Sequence, residues 1–471
     1  MYYQRSTGLY TDYYELTMAQ GYFAEGRQEE QATFDYFFRK NPFGGGYVIF
    51  SGLEEFLRQL ANFRYTDEDL HYLKEQGFKS SFLDYLRTFR FQGEIVSCRE
   101  GEVVFPLEPV VRVSGTIVET QLVESMLLNI INFSSLISTK AIRMRKEAGE
   151  RKLIDFGLRR AQGLASMYAA RSAFIGGANS SSHVMAGKDF HLPVGGTMAH
   201  SWIQSFDTEL EAFRAFARLY PENCTLLIDT YDTLKSGLKN ALIIASELKA
   251  KGYSLKGIRL DSGDLAYLSK KVRQELDDNG FYDVNIVVSN QLDEYLIRSL
   301  NMQKAPIDVF GVGTSLITGA PDAALDGVYK MSEFGNTPRL KVSENVTKLS
   351  LPGKKNVLRY YDHANHFYAD AVILEDEDKV DFIIHPHHKS RTCALQSYEY
   401  ERLLRPVVSN GQPLMPETSL KEIAAYAQDR FALMDDSMTR LENPHIYKVG
   451  LSQKLLELRD AIAFKKQKYG G

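Results

Sequence analysis

The chain has 471 residues, of which 44% are hydrophobic and 25% are charged, a composition typical of folded soluble proteins and too apolar for disorder. Lysine and arginine number 56 against 60 aspartates and glutamates, so the formal net charge is -4, without the strong basic excess of most nucleic-acid-binding proteins. At about 150 residues per domain, the length predicts roughly three domains.

The cysteines and the N-terminus indicate the cellular compartment. Cys98, Cys224 and Cys393 are far apart, show no metal-ligand spacing and are too few for a disulfide framework. The N-terminal sequence lacks the apolar core of a signal peptide, and no apolar run approaches the roughly 18 residues that would cross a bilayer. We therefore expect a cytoplasmic enzyme that binds neither nucleic acid nor a membrane.

Residues 1–150 are predicted to form an N-terminal α+β module, because short aromatic strand patterns and helical patterns are mixed there. The predicted elements are a strand–turn–strand hairpin over 32–53 with its glycine-rich turn at 44–46, a helix capped by Thr66, short strands over 91–119, and one long, largely buried helix over 120–149. This mixture distinguishes the module from the segment that follows.

Residues 151–331 alternate short apolar runs with helical patterns, which is typical of parallel strands joined by crossovers. Seven or eight such units predict an α/β barrel, although an open doubly wound sheet would show the same alternation. The predicted strands lie in 152–157, 173–177, 197–202, 225–230, 257–264, 285–290, 309–314 and 327–331. In barrels the loops that follow the strands build the active site, so polar residues at these strand ends are the first candidates.

Residues 332–471 are predicted to form a third, more irregular module. Strand patterns surround a basic turn within 338–362, whereas 383–392 and 405–416 are interpreted as loops. We expect the first part of this module, to about residue 360, to pack with the N-terminal module.

Two strand ends carry residues suited to phosphates and hard cations. In GVGT, Gly313 and Thr314 offer backbone amides and a hydroxyl to a phosphate, although for the motif alone a tight turn is the more ordinary explanation. In RLDSGD, Asp261 and Asp264 suit Mg²⁺ or ribose hydroxyls, and Arg259 suits a carboxylate or phosphate. The alternative is that Asp264 or a neighbour caps a helix while Arg259 neutralises Asp261.

Other strand ends add an aromatic ring, further carboxylates and a histidine. Phe156 and Arg159 suit a planar anion, with a core ring and a solvated arginine as the alternative. Asp229 is explained as readily by helix capping. His200 could act as a base or accept a phosphoryl group, although a lone histidine is more often structural. The histidines at 385, 387 and 388 are interpreted as a surface loop.

Several motifs in this order closely resemble the nicotinate phosphoribosyltransferase family, over essentially the whole chain. They are LYTDYYELTM (9–18), DFGLRRAQG (155–163), GTMAHS (196–201), LLIDTYD (226–232), IRLDSGD (258–264), FGVGTSLITG (310–319), KVSENVTKLSLPGKKNVLR (341–359), RPVVSNGQPL (405–414) and NPHIYKVGLS (443–452). Each motif is weak alone, but the ordered set is specific.

The resemblance implies an irregular α/β barrel of the type II phosphoribosyltransferase kind and a homodimer with shared active sites. It implies that nicotinate is joined to phosphoribosyl pyrophosphate, giving nicotinate mononucleotide and pyrophosphate, as the first step of NAD salvage from nicotinate. It also implies Mg²⁺ and a coupled hydrolysis of ATP, hence a ligase-type classification.

Site residues are implied in the same way. Phe156 and Tyr14, the latter from a neighbouring subunit, would sandwich the pyridine ring, and Arg259 would meet the carboxylate. Gly313 and Thr314 would hold the 5′-phosphate, Arg159 would lie near the 5′-phosphate or the carboxylate, and Asp261 would hold the ribose hydroxyls. Asp229, Ser289 and Asn290 would line the pocket. His200 would be phosphorylated by ATP, Asp261 and Asp264 are the tentative metal ligands, and the basic segment carrying Lys341, Lys348, Lys354 and Lys355 would meet pyrophosphate or ATP phosphates.

Four other functions compete with this interpretation. A nicotinamide phosphoribosyltransferase shares mainly the barrel motifs, and a decarboxylating quinolinate enzyme is much shorter. A non-catalytic sensor of phosphoribosyl ligands would be free to lose Arg259, Asp261 and His200. A barrel aldolase needs a Schiff-base lysine at a strand end, and none stands out.

Overall fold

The computed structural model describes residues 6–341, 350–414 and 416–469. By its internal contacts the chain forms two compact units, one of residues 1–136 with 324–471 and one of residues 137–323. The finer division into 1–150, 151–331 and 332–471 stays a prediction.

The N-terminal part of the first unit alternates helices and short strands. The helices are α1 (Tyr13–Ala24), α2 (Leu53–Leu60), α3 (Asp67–Glu75), α4 (Ser80–Thr88), α5 (Ile117–Leu122) and α6 (Glu124–Ala148), whose last part belongs to the second unit. The strands are β1 (Gln31–Phe38), β2 (Val48–Ile49), β3 (Glu94–Ser97), β4 (Val103–Val104) and β5 (Val111–Thr116). Thr66 caps α3 through a capping box with Asp69, as predicted.

The second unit contains strands separated by helices. Its strands are β6 (Lys152–Asp155), β7 (Ser180–Ser181), β8 (Thr225–Leu227), β9 (Gly257–Leu260), β10 (Asn285–Ser289) and β11 (Val309–Val312). Its helices are α7 (Ala165–Ile175), α8 (Val184–Phe190), α9 (His200–Gln204), α10 (Glu209–Leu219), α11 (Leu238–Ala250), α12 (Leu265–Asp278), α13 (Glu294–Met302) and α14 (Thr314–Thr318). The alternation of strand and helix predicted for this segment is confirmed.

The C-terminal part of the first unit consists mainly of strands. They are β12 (Gly327–Phe334), β13 (Thr337–Pro338), β14 (Lys355–Tyr361), β15 (Phe367–Leu374), β16 (Phe382–Ile384), β17 (Thr392–Ala394), β18 (Glu399–Arg402), β19 (Arg405–Ser409), β20 (Gln412–Pro413) and β21 (Val449–Leu451). Two helices, α15 (Leu420–Ala432) and α16 (Gln453–Tyr469), complete the described part.

Strands that are distant in sequence build the main sheet of the first unit. Its order is β13-β12-β1-β5-β3-β19-β20, so β1 lies between β5 and β12. A second sheet has the order β17-β16-β21-β15-β14-β18, and β2 pairs only with β4. The buried faces of the first sheet and of α1 to α6 form one core rich in phenylalanine and tyrosine.

Two predictions for this unit are wrong. The hairpin over 32–53 does not form, because β1 pairs with β5 and β12 while β2 pairs with β4. The segment 405–416 is not only a loop, since β19 pairs with β3 and turns back to β20. Alternation of apolar residues identifies a strand but not its partner, which explains both errors.

The long apolar stretch predicted to be a buried helix forms α5 and α6. Residues 117–148 are long and apolar enough, by length and composition, to cross a membrane, although the sequence analysis found no such run. However, 72% of the most apolar window is buried inside the protein. This burial is what a core helix of a folded protein shows.

The parallel sheet of the second unit has the order β7-β6-β11-β10-β9-β8. The first strand along the chain, β6, therefore pairs with the last, β11, as in a closing barrel, and the ring is open only between β7 and β8. At this gap Val194 forms a parallel bridge to Ser181, and the side chain of His200 contacts Thr230 after β8. The strand order is therefore that of an irregular barrel rather than of an open doubly wound sheet.

Six strands form this sheet rather than the predicted seven or eight. Residues 173–177 end helix α7, residues 197–202 lead into α9, and residues 327–331 belong to β12 in the other unit. Short apolar runs do not distinguish a strand from a segment of a buried helix, so periodicity alone could not separate these cases.

A network of charged side chains is buried in the first unit. Arg359, fully buried on β14, donates to both carboxylate oxygens of Asp370 at 2.6–3.2 Å and to Glu102 at 2.6 Å. Arg430 donates to the same oxygen of Glu102 at 2.8 Å. Loss of one cation would leave a carboxylate buried without its partner.

We expect Arg359→Met to lower the free energy of unfolding by about 3–5 kcal/mol, because Asp370 and Glu102 would remain buried. The matched control is Arg402→Met on the neighbouring strand, where a half-buried arginine contacts exposed Asp378 at 3.4 Å. That change should cost less than about 1 kcal/mol. Urea titrations of both variants measure the difference, and equal midpoints would contradict the prediction.

Candidate active site

One arginine organises the polar residues at the carboxyl ends of the parallel strands. Arg259 on β9 has a side chain that is 14% exposed. Its Nε donates to Ser289 Oγ at 3.0 Å, its Nη1 to Thr197 Oγ1 at 3.1 Å and its Nη2 to Asp261 Oδ1 at 3.1 Å. A guanidinium has five N–H donors, so two remain for a ligand in a fixed orientation.

An aromatic ring lies against this guanidinium. The centre of the Arg259 guanidinium is 5.2 Å from the ring centroid of Phe156, which follows β6. The ring fits because residue 311 is glycine: a Cβ there would lie 2.5 Å from Phe156 Cε2. The strand ends therefore place a flat apolar surface next to a cation, which suits a planar aromatic acid.

Two aspartates border the arginine. Asp261 Oδ1 also accepts from Ser289 Oγ, and the backbone N–H of Asp261 donates to Asp229 Oδ2 at 2.9 Å. Asp229 Oδ1 is buried and has no hydrogen-bond partner among the residues that the structure describes. This oxygen is available to a hydroxyl group or a cation.

His200 is the first residue of α9 and is accessible. Its side chain is 40% exposed, and its Nδ1 lies 3.0 Å from Thr230 Oγ1. Its Nε2 lies 3.9 Å from Asp261 Oδ2. The second nitrogen therefore faces the carboxylate group that also holds Arg259.

The residues predicted to lie near the 5′-phosphate stand at the ends of β6 and β11, and Asn290, predicted to line the pocket, follows β10. Gly313 precedes α14, whose first residue Thr314 is exposed. Arg159 lies exposed in a short 3-10 turn, and Asn290 follows β10 with a left-handed backbone at φ +89°. The turn after β6 is held by buried Asp155, which accepts from the N–H of Gly157 and from Ser181 Oγ, both at 2.7 Å.

The two predicted metal ligands have different environments. Asp264 caps α12 by accepting from the N–H of Tyr267 at 3.0 Å, which is the alternative role considered for it. Within 6–341, 350–414 and 416–469, no group of three or more histidines, cysteines and acidic residues is arranged to hold a metal ion. Asp229 Oδ1 and Asp261 Oδ2 fit Mg²⁺ only if a substrate supplies further oxygens, as is common for this cation.

The remaining predicted residues lie in the first unit. Tyr14 on α1 is 48% exposed, Lys341 is exposed, and Lys354 Nζ lies 3.7 Å from Glu333 Oε1. Lys355 is buried, and its Nζ lies 2.7 Å from Asp35 Oδ2, so its ammonium group is engaged within the unit. Lys348 lies outside the described residues.

Two buried carboxylates share one amide near Tyr14. Gln121 Nε2 donates to Glu15 and, at 3.1 Å, to Glu124 Oε2. Burial, and then the neighbouring charge of Glu15, raise the pKa of Glu124 to about 7 from 4.5. Because the folded state holds this proton more tightly, the stabilising contribution is complete below about pH 4.5 and is lost as the pH rises through 7.

We expect Glu124→Gln to remove this pH dependence and to stabilise the first unit by about 2 kcal/mol at pH 8. Urea unfolding of the variant and the wild type at pH 5 and pH 8 measures the effect. Glu29→Gln, an exposed carboxylate of the same unit, is the matched control. Parallel pH profiles for wild type and Glu124→Gln would contradict the assignment.

Sequence reasoning did not single out Thr197 and Thr230, which bind Arg259 and His200, or Gly311, which makes room for Phe156. Each lies in or beside a quoted motif. The sequence therefore marked these residues only by their position at a strand end. Threonine and glycine are so common at such positions that they did not stand out as site residues.

Comparison with known proteins identifies the family. The model described as the nicotinate phosphoribosyltransferase (NAPRTase) family matches residues 151–366, and the models of its N- and C-terminal domains match residues 9–132 and 354–459. Nicotinate phosphoribosyltransferase of Bacillus subtilis (strain 168) is 41% identical over 95% of this chain and 93% of its own. The Dictyostelium discoideum enzyme of that name is 35% identical over 96% and 87%.

Comparison with solved structures agrees with this family assignment. The crystal structure of human nicotinic acid phosphoribosyltransferase matches with a TM-score of 0.87 and 31% identity, over 96% of this chain and 99% of that one. Nicotinate-nucleotide pyrophosphorylase from Pyrococcus furiosus has a TM-score of 0.71 at 22% identity, over 91% and 95%, and shows the fold alone. The predicted fold class, an irregular type II phosphoribosyltransferase barrel with N- and C-terminal modules, is confirmed, and the chain belongs to the nicotinate phosphoribosyltransferase family.

Proposed function

We propose that the protein joins nicotinate to phosphoribosyl pyrophosphate, giving nicotinate mononucleotide and pyrophosphate. The observation that carries this proposal is the guanidinium of Arg259 beside the ring of Phe156, with Ser289, Asp261 and Thr197 fixing its orientation. Two free N–H groups of the guanidinium suit the carboxylate of nicotinate, and the phenyl ring suits its pyridine ring. Relatives named for this activity support the substrate class.

In this reaction the pyridine nitrogen forms a bond to C1′ of the ribosyl group while the bond from C1′ to the pyrophosphate oxygen breaks. The leaving oxygen keeps the electron pair, and the nitrogen has no proton to lose, so no general base is needed. The barrier is lowered chiefly by neutralising charge that develops on the leaving group and by fixing the two reactants in line.

The sugar and its phosphates would lie along the neighbouring strand ends. Asp261 and the unpartnered oxygen of Asp229 suit the ribose hydroxyls, and Gly313, Thr314 and Arg159 suit the 5′-phosphate. Asp261 and Asp229 would hold Mg²⁺, which would supply positive charge at the leaving group, whereas Asp264, the other predicted ligand, is engaged as the cap of α12. Lys341, Lys348 and Lys354 are proposed to meet pyrophosphate or ATP phosphates.

We further propose that ATP phosphorylates His200 and that hydrolysis of this phosphohistidine is coupled to product formation, which underlies the proposed ligase-type classification. The partly exposed side chain of His200 and its Nδ1 contact with Thr230 support this role, since the ring is oriented by one nitrogen and the other makes no hydrogen bond to the described residues. A homodimer in which Tyr14 completes the partner's site, and a location in the cytoplasm, belong to the same proposal.

Release of pyrophosphate with nicotinate or nicotinamide, each with and without ATP, tests the proposed reaction. We expect release with nicotinate, stimulated by ATP, and little with nicotinamide. A preference for nicotinamide would instead indicate a nicotinamide phosphoribosyltransferase. Stoichiometric binding of phosphoribosyl pyrophosphate without any turnover would indicate a sensor.

Gly311→Ala tests the ring position, because the new Cβ would lie 2.5 Å from Phe156 Cε2 and must displace the ring. We expect KM for nicotinate to rise about tenfold through lost stacking, with KM for phosphoribosyl pyrophosphate little changed. Gly196→Ala is the matched control, since a Cβ there meets nothing within 4 Å. An unchanged KM for nicotinate in Gly311→Ala would count against the proposed ring site.

A further inference from the structure

A second cleft, of about 710 Å³, opens in the first unit. It lies where β16 pairs with β17 and β21, and its walls include residues of two segments, 383–394 and 446–450. The first contains the histidine-rich segment and the second belongs to NPHIYKVGLS, one of the motifs that carry the family resemblance. The proposed reaction assigns no role to either segment, and the volume is that of a small-molecule site.

The cleft carries cationic groups and no carboxylate. Arg391 and Lys448 line it together with His385 and His387, and none of the lining residues is aspartate or glutamate. Among the residues that the structure describes, neither Arg391 nor Lys448 has a carboxylate within ion-pair distance of its side chain. In a chain of net charge -4, such a cluster favours an anion.

Several of these groups have a fixed orientation before any ligand binds. The Nδ1 of His385 accepts from the backbone N–H groups of His387 at 3.1 Å and His388 at 3.2 Å, so the proton of the neutral ring lies on Nε2, which can donate. The Nζ of Lys448 lies 4.0 Å from the ring centroid of Tyr368. Pre-oriented donors lose less entropy when they bind an anion.

The cleft also offers an unused acceptor. Asn41 is one of its lining residues, and Asn41 Oδ1 is buried without a hydrogen-bond partner in the part of the chain that the structure describes. A buried carbonyl oxygen of this kind is costly unless a donor satisfies it. A hydroxyl group of a ligand would be such a donor.

We propose that this cleft binds a phosphorylated sugar, either free or as part of a nucleotide, with the phosphate held by Arg391, Lys448 and His385 and a sugar hydroxyl held by Asn41. The inference does not depend on the proposed reaction, because none of these residues belongs to the strand ends around Arg259. It assigns a ligand-binding role to the first unit.

Hydrogen–deuterium exchange of the full chain tests the proposal, because it localises binding. The probes are AMP, ribose 5-phosphate and adenosine, each at millimolar concentration. We expect AMP or ribose 5-phosphate to slow exchange in peptides covering 383–394 and 446–452, and adenosine to have no effect there. Protection by AMP alone would identify a nucleotide, and equal protection by ribose 5-phosphate would identify the sugar phosphate.

Paired variants provide the control. Arg391→Ala/Lys448→Ala should raise Kd for the protecting ligand at least about tenfold, because two charge-assisted contacts are lost. Lys379→Ala/Lys421→Ala removes the same charge from exposed lysines outside the cleft and should leave Kd unchanged. Absence of protection by both phosphates, or equal protection in the Arg391→Ala/Lys448→Ala variant, would overturn the proposal.

Discussion

Arg259→Ala is expected to lower kcat/KM for nicotinate by about 1,000-fold, the largest effect that we predict for a single side chain. The guanidinium supplies the proposed carboxylate contact, and its loss also leaves Asp261 without the donor that lies 3.1 Å from Oδ1. Steady-state kinetics with nicotinate and nicotinamide measure the change. The discrimination between the two substrates should fall as well, because only nicotinate uses the charge.

The matched control for this change is Arg218→Ala, which removes an exposed arginine on α10 of the same unit. It should leave the kinetics within about twofold of the wild type. Arg259→Lys should recover only part of the activity, since an ammonium group cannot reproduce three fixed N–H bonds and a bidentate contact. If Arg259→Ala retained full activity with nicotinate, the carboxylate must bind elsewhere.

His200→Ala is expected to abolish the stimulation of pyrophosphate release by ATP. Incubation with γ-labelled ATP should give an acid-labile protein label in the wild type and none in this variant. His71→Ala, an exposed histidine of the first unit, should label like the wild type. Equal labelling of the His200→Ala variant would exclude a phosphohistidine at this position.

The position of His200 would connect the proposed phosphorylation to the proposed nicotinate contact at Arg259. Its Nε2 lies 3.9 Å from Asp261 Oδ2, and the other oxygen of that carboxylate holds Arg259. Phosphorylation adds roughly two negative charges beside Asp261. Repulsion between them would weaken the hold of Asp261 on Arg259, which would couple the phosphoryl group to substrate binding.

The site residues of the second unit could be predicted because parallel strands share one carboxyl edge. Arg259 and Asp261 stand at the end of one apolar run, and that position made them candidates, whereas Ser289, which contacts both, was implied only by the family resemblance. The roles of Asp264 and Lys355 could not be predicted in this way. A helix cap and a ligand look alike in DSGD. Lys355 on β14 and Asp35 on β1 belong to different sheets, so only tertiary packing shows that this lysine is buried against the aspartate.

The fold was predicted less completely for a related reason. Apolar runs located β6 and β8 to β11, but the run at 173–177 belongs to helix α7, where buried residues cluster as they do in a strand. Partners that are far apart in sequence, such as β1 and β12, leave no local signal. Tertiary packing determines which of these distant strands pair.

The main sheet of the first unit combines strands from both ends of the chain, so some of its strands are synthesised long before their partners. Strand β1 lies between β5 and β12, and β3 lies between β5 and β19, so the sheet needs strands from beyond residue 323. Residues 137–323 contain every strand of their own parallel sheet, whereas the strands before them keep two edges unpaired until the C-terminal strands have been made. A ribosome that stalls near residue 323 would therefore expose an aggregation-prone intermediate, and chaperones that shield open strand edges should matter most in that interval.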